Sequence, residues 1–319
     1  MRGTVYKSTG SWYTVKSDEG IFFQCRIKGK FRLKGIKSTN PVAVGDHVIF
    51  DIEELDGVST GVIKEIEVRE NYIVRKSVNL SKQTHIIASN IDIVFLVITL
   101  NNPPTFTSFI DRFLVTAKAY GIECVLLFNK VDTYTPEEIA EIKYLADLYR
   151  SIGYTCEGVS AKTKKNIETV LELMKGNVCM FSGHSGVGKS TLVNAIEPTL
   201  KLKTKEISDQ HRQGQHTTTF AEMYDLKNEI RIIDTPGIKG FGIVDIEPNE
   251  LSGYFPEFFE LQSECKFHNC LHKEEPKCAI KEALENEKIA WSRYKSYLQI
   301  LEGDEETHYR KNNYENEDL

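Results

Sequence analysis

One stretch limits the fold of this chain more than any other: "FSGHSGVGKSTL" at 181–192. An apolar run, "NVCMFSG", leads into it, "TLVNAI" opens a helix behind it, and Gly183 to Ser190 has the spacing of a phosphate-binding loop. The glycines let the backbone of Gly183, His184, Ser185, Gly186, Val187 and Gly188 curl so that its N–H groups point at phosphates. Lys189 would reach the terminal phosphates, the Ser190 hydroxyl would ligate Mg²⁺, and Thr191 follows on the same helix turn. Around this unit, strand-like runs ("IDIVFLVIT", "ECVLLF", "YTCEGVS", "IRIID") alternate with helical ones ("SFIDRFLVTAKAY", "PEEIAEIKYLADLYR", "NIETVLELMK"). That alternation predicts a parallel, doubly wound α/β sheet, whose ligands bind at the carboxyl ends of the strands.

A second ligand loop stands ahead of the first. In "LLFNKVDTY", residues Asn129, Lys130, Val131 and Asp132 follow the strand "CVLLF". A carboxylate such as Asp132 accepts hydrogen bonds from both N1–H and the exocyclic amine of guanine; adenine has no such donor pair, so the loop selects GTP and an ATPase reading fails. Ser160, Ala161 and Lys162, after the next strand, supply a backbone N–H for the guanine carbonyl. Downstream, "RIIDTPG" offers Asp234 to hold Mg²⁺ through water and the Gly237 N–H for the γ-phosphate. "RQGQHTTTF" offers Thr217, Thr218 and Thr219 as the threonine closing over Mg²⁺, with Thr218 the choice among them. The base reader thus precedes the phosphate loop, a rotated order. Because every loop lies at one edge of the sheet, moving the chain ends leaves such a pocket intact.

At 319 residues the chain exceeds one core, and the pattern divides it in three. Residues 1–69 carry short alternating strands with turn signals, the signature of a small β-barrel; an oligonucleotide-binding (OB) type fits the length, an SH3-like or structural barrel being the alternative. Its run "RIKGKFRLKGIK" sets Arg26, Lys28, Lys30, Arg32 and Lys34 on alternate positions, with Lys37 beyond: an RNA-binding face or a solvated edge. Residues 70–245 form the nucleotide domain. Residues 246–319 hold helical patterns around "CKFHNCLHKEEPKC" and end in an acidic, polar tail with the composition of disorder. Cys265, Cys270, His272 and Cys278 make a complete tetrahedral set for structural Zn²⁺, with His268 an alternative ligand. Cys25, Cys124, Cys156 and Cys179 sit among apolar neighbours as core thiols. No run is long enough to span a membrane and the N-terminus lacks a secretory pattern, so a cytoplasmic protein is expected.

These motifs together resemble the circularly permuted RsgA family of ribosome small subunit-dependent GTPases. The likeness covers nearly the whole chain: the barrel, "NKVD", "SAK", "GHSGVGKST", "GQHTTT", "DTPG" and the Cys/His spacing. It implies a monomeric GTPase in late maturation of the small (30S) subunit, binding its rRNA and stimulated by it, with GTP hydrolysed to GDP. The competing reading is a nucleotide-gated RNA-binding switch whose hydrolysis only resets it. After "DTPG" stands Ile238, where Ras-like enzymes carry a water-orienting glutamine. An aliphatic chain cannot orient water, so low turnover in isolation is expected. His216 is the candidate for that role, against an RNA-contacting or structural one.

Overall fold

The structure, a computed structural model, describes residues 1–27, 41–55, 58–76, 84–200, 221–234 and 246–303. Five strands open the chain: β1 (Arg2–Ser8), β2 (Tyr13–Ser17), β3 (Phe22–Ile27), β4 (His47–Leu55) and β5 (Val58–Ile66). They follow the order β1-β2-β3-β5-β4, and pairing of β1 with β4 closes them into an OB-like barrel. Alternation along the strands turns Val5, Tyr13, Val15, Cys25, Val48, Phe50 and Ile63 inward to fill it. A hairpin of β6 (Tyr72–Lys76) and β7 (Thr84–Ser89) follows as a separate two-stranded sheet.

The nucleotide domain is built on β8 (Ile93–Ile98), β9 (Glu123–Phe128), β10 (Thr155–Gly158), β11 (Val178–Ser182), β12 (Glu222–Asp225) and β13 (Arg231–Asp234), in the order β10-β9-β8-β11-β13-β12. All neighbours are parallel except β12, which runs antiparallel to β13, so the expected parallel sheet has one antiparallel edge. Between strands lie α1 (Thr107–Ala119), α2 (Pro136–Ser151), α3 (Ile167–Met174) and α4 (Lys189–Ile196). Strand β8 is buried throughout, as a strand covered on both faces must be. Val94, Leu96 and Ile98 meet α1 and α2, while Ile93, Phe95 and Val97 meet α3 and α4.

The barrel docks edge-on against β12. Lys7 of β1 is the register partner of Glu222, and Lys16 lies 2.6 Å from Asp225, which also accepts the Tyr6 hydroxyl at 2.6 Å. Beside β1, where the Val5 N–H donates to the Asp46 carbonyl at 2.9 Å, the buried Asp46 carboxylate takes two nitrogens of Arg69 at 2.6 Å and the Ser89 hydroxyl of β7 at 2.6 Å. A barrel anchored at both places is held in one orientation on the sheet.

The C-terminal module carries α5 (Pro256–Leu261), α6 (Ala279–Glu285) and α7 (Trp291–Leu301). Its apolar core of Leu251, Phe255, Phe258, Ile280 and Tyr297 also takes in Val115 of α1. At the seam Arg293 of α7, 1% exposed, donates to Asp111 of α1 at 2.6 Å and to Glu257 of α5 at 2.7 Å, and Tyr149 of α2 donates to Asp111 at 2.8 Å. Among the described residues no helix is long and apolar enough to cross a membrane. Removing one member of a buried ion network leaves the others charged and without a counter-charge, so Arg293→Met should cost about 3–5 kcal/mol. Denaturant unfolding measures this; a loss below about 1 kcal/mol would mean the seam rests on apolar packing alone.

Candidate nucleotide site and Cys/His cluster

Three loops leave the carboxyl ends of β9, β10 and β11 and carry Asn129 to Asp132, Ser160 to Lys162, and Gly183 to Gly188, while Asp234 ends strand β13. Two glycines make the phosphate loop feasible. Gly183 has φ 138° and a Cβ there would strike the Val97 carbonyl; Gly188 has φ 95° and a Cβ would stand 2.6 Å from the Asn129 amide. Gly188 then opens α4, with Leu192 N–H donating to its carbonyl at 2.8 Å. Ser190 and Thr191 occupy the first turn, Ser190 half-buried and Thr191 exposed.

The base loop and the phosphate loop hold one another. Asn129, 2% exposed, donates from Nδ2 to the Val187 carbonyl at 2.9 Å, and Lys130 donates from Nζ to Gly186 O at 2.9 Å and Asn102 O at 2.6 Å. Asn129 Oδ1 is buried without a hydrogen-bond partner among the described residues. A buried acceptor of this kind calls for a partner from a ligand or ordered water. The Val131 N–H reaches the Val159 carbonyl at 3.3 Å, closing the turn beside β10. Ser160 is fully buried; its hydroxyl donates to Asp132 Oδ1 at 2.6 Å and accepts from Thr163 N–H at 3.0 Å, fixing the carboxylate's orientation. Ala161 is half-buried and Lys162 exposed beside it. The structure therefore brings the residues of both loops, with Ser160, into one place.

Two further contributors stand outside the ligand-loop motifs. The Tyr134 hydroxyl donates to Asn129 O at 3.1 Å and accepts from Leu100 N–H at 3.0 Å, bracing the base loop against the segment after β8. Glu138 accepts from Thr135 N–H at 2.8 Å to complete a capping box at the start of α2, and its other oxygen takes Asn101 Nδ2 at 2.6 Å. The run "TPEE" carries the capping-box signal; Tyr134 has none.

Lys189 is held by the loop it serves, donating to Gly183 O and His184 O at 2.7 Å each. The His184 ring lies tilted by 33° over Phe109 of α1 at 3.9 Å between centroids. Burial lowers the Lys189 ammonium to about 8, against the pull of Asp234. Burial also raises the Asp234 carboxyl, with Glu222 adding to the rise and Lys189 opposing it. The Lys189 ammonium at the start of α4 and the Asp234 carboxylate at the end of β13, with Ser190 next to Lys189 on the helix, form a donor set suited to phosphate and a hard cation. The switch-loop candidates His216, Thr217, Thr218 and Thr219, together with Gly237 and Ile238, lie outside the described residues. So do Lys28, Lys30, Arg32, Lys34 and Lys37 of the basic run, and the tail from residue 304.

In the C-terminal module the ligand atoms of Cys265, Cys270, His272 and Cys278 lie within 4.8 Å of one another. His272 Nδ1 is 3.3 Å from Cys278 Sγ and 3.7 Å from Cys265 Sγ. His268 is exposed and stands outside the group. Hydrogen bonds fix the loop: Tyr294 donates to His272 O at 2.7 Å, Tyr297 to Leu271 O at 3.0 Å, and Glu275 accepts from Leu271 and Lys273 N–H. Burial pushes the Cys270 thiol up to about 12 and raises that of Cys278. Thiols so placed ionise against a cation, and three sulfurs with one imidazole are a set that could hold a metal. Cys25, Cys124, Cys156 and Cys179 are buried elsewhere.

Comparison with known proteins gives a consistent picture. The RsgA GTPase family profile matches residues 66–244 and that of the RsgA N-terminal domain residues 2–63. The small ribosomal subunit biogenesis GTPase RsgA of Christiangramia forsetii is 72% identical over 315 residues, covering 99% of this chain and 100% of that one. Among solved structures, YjeQ from Thermotoga maritima superposes with a TM-score of 0.77 at 36% identity, covering 95% of this chain and 97% of its own. YloQ, a circularly permuted GTPase, does so at 0.73 and 30%, covering 95% and 94%.

Phosphate bound beside Lys189 would raise its ammonium again, so binding at a pH between the free and bound values takes up a proton. GTP affinity should then fall as pH rises through about 8. Calorimetry at about pH 9 in buffers of different ionisation heat should show proton uptake; release or no exchange would refute the link to Lys189.

Proposed function

Since the chain belongs to the RsgA GTPase family, we propose that it is a GTPase of late small-subunit (30S) assembly, stimulated by that particle. It would work as a cytoplasmic monomer that binds rRNA through the barrel of residues 1–69, turns GTP over in residues 70–245, and uses residues 246–319 as a metal-stabilised module. The observation that carries the reading is the clasp of Asn129 and Lys130 on the phosphate loop, with Asp132 set by Ser160.

In this reading Asp132 receives the guanine N1–H and amine, the Ala161 N–H approaches the base carbonyl while the Ser160 N–H stays on the Lys165 carbonyl at 3.2 Å, and Lys162 flanks it. The phosphate-loop N–H groups and Lys189 take the phosphates, Lys189 exchanging its carbonyl partners for phosphoryl oxygens. Mg²⁺, held by Ser190 and Thr218 with Asp234 reached through water, would neutralise charge developing on the phosphates. Gly237 N–H would meet the γ-phosphate and His216 would orient water. With Ile238 unable to place water, the isolated protein should be slow, and the particle would complete the site.

Turnover measured with and without purified small subunits tests the function. A large stimulation by small subunits and none by large ones is expected; equal rates in all conditions would sink it. The cluster we assign to Zn²⁺, whose binding free energy would help fold the module. Cys270→Ser should release the ion and loosen residues from 246 onward. Full Zn²⁺ by elemental analysis of that variant would remove Cys270 from the ligand set.

A further inference from the structure

Three charged side chains stand in one row across β1, β12 and β13. Lys7 is the register partner of Glu222, and Glu222 is the register partner of Asp234. Directly opposed residues of an antiparallel pair project from the same face, with Cβ atoms about 4.5–5.5 Å apart. Lys7 Nζ closes to 2.9 Å from Glu222 Oε2, both groups partly exposed at 40% and 30%. A lysine of the barrel is thus one side chain removed from the carboxylate at the nucleotide site. The docking does not depend on that lysine, since Lys16 and Tyr6 hold Asp225 independently.

We infer that Glu222 is a positioning residue for the cation site at Asp234, and that Lys7 of the barrel sets its strength. This rests on the reading of Asp234 as a group that holds Mg²⁺ through water. Two neighbouring carboxylates attract a divalent cation more strongly than one. An ammonium on the outer carboxylate cancels part of that field. Lys7 therefore weakens the cation site through Glu222, and whatever draws Lys7 away strengthens it. The two charges act on Asp234 with opposite sign, a pattern that loss of packing would not produce.

The test uses the full chain and the release of N-methylanthraniloyl-GDP as Mg²⁺ is titrated, reading the Mg²⁺ concentration that half-maximally slows release. Glu222→Gln should raise that concentration about two- to fivefold, the scale of partly exposed charge pairs. Lys7→Gln should lower it by a smaller factor, Lys7→Arg should leave it unchanged, and Lys7→Gln/Glu222→Gln should match Glu222→Gln. Shifts of the same sign in the two single variants, or no shift, would overturn the relay. Asp234→Asn separates the two ideas: if it leaves the Mg²⁺ dependence intact, the reading of Asp234 fails and takes the relay with it. If Asp234→Asn abolishes the dependence while Lys7 and Glu222 variants behave alike, only the relay falls.

Discussion

The site depends first on two hydrogen bonds between segments far apart in sequence, Asn129 Nδ2 to Val187 O and Lys130 Nζ to Gly186 O. A phosphate loop carries no side chain that fixes its distance to a purine; something must set that separation. In the proposed reading the loop of Asn129 to Asp132 does so, since Asn129 and Lys130 grasp two consecutive carbonyls of the Gly183–Gly188 loop and Gly188 has no Cβ to obstruct the Asn129 amide. This explains how the rotated chain retains one pocket. The spacing is set across the sheet, by strands β9, β8 and β11 lying side by side, and the sheet is indifferent to which strand comes first.

The same logic extends to the neighbouring domains. Each is fastened to the nucleotide domain by charge as well as by apolar contact: Arg69 and Asp46 with Ser89 and Arg293 with Asp111 in buried positions, and Lys16 with Asp225 at the surface. Charge pairs taken out of water tolerate little misplacement, because separating them leaves each unsolvated. They fix orientation where apolar surfaces alone would allow sliding. Arg293 lies against Asp111 in α1, and α1 begins just beyond the segment that Lys130 grips at Asn102.

Much of this was legible in the sequence, for identifiable reasons. The doubly wound sheet shows because β8, β9 and β11 are continuous apolar runs, and the barrel shows because its strands alternate. The Cys/His group was readable because soft ligands crowd into one short segment, though only the fold separates His272 from the exposed His268. What escaped lacks a local signal. The β6–β7 hairpin is short and merges with the linker pattern; the antiparallel sense of β12 is fixed by its register with β13. Tyr134 and Glu222 act through partners on other strands or segments, Leu100 and Lys7, that no window of sequence displays.

The meeting of β1 and β12 has one more consequence. β12 ends the nucleotide domain's sheet, and its outer side would present unpaired N–H and C=O groups, a template on which another chain could add a strand. At Lys7 the barrel occupies that position with a strand of its own. The barrel therefore caps that edge at the Lys7–Glu222 pair, where a strand of another chain would otherwise find unpaired backbone.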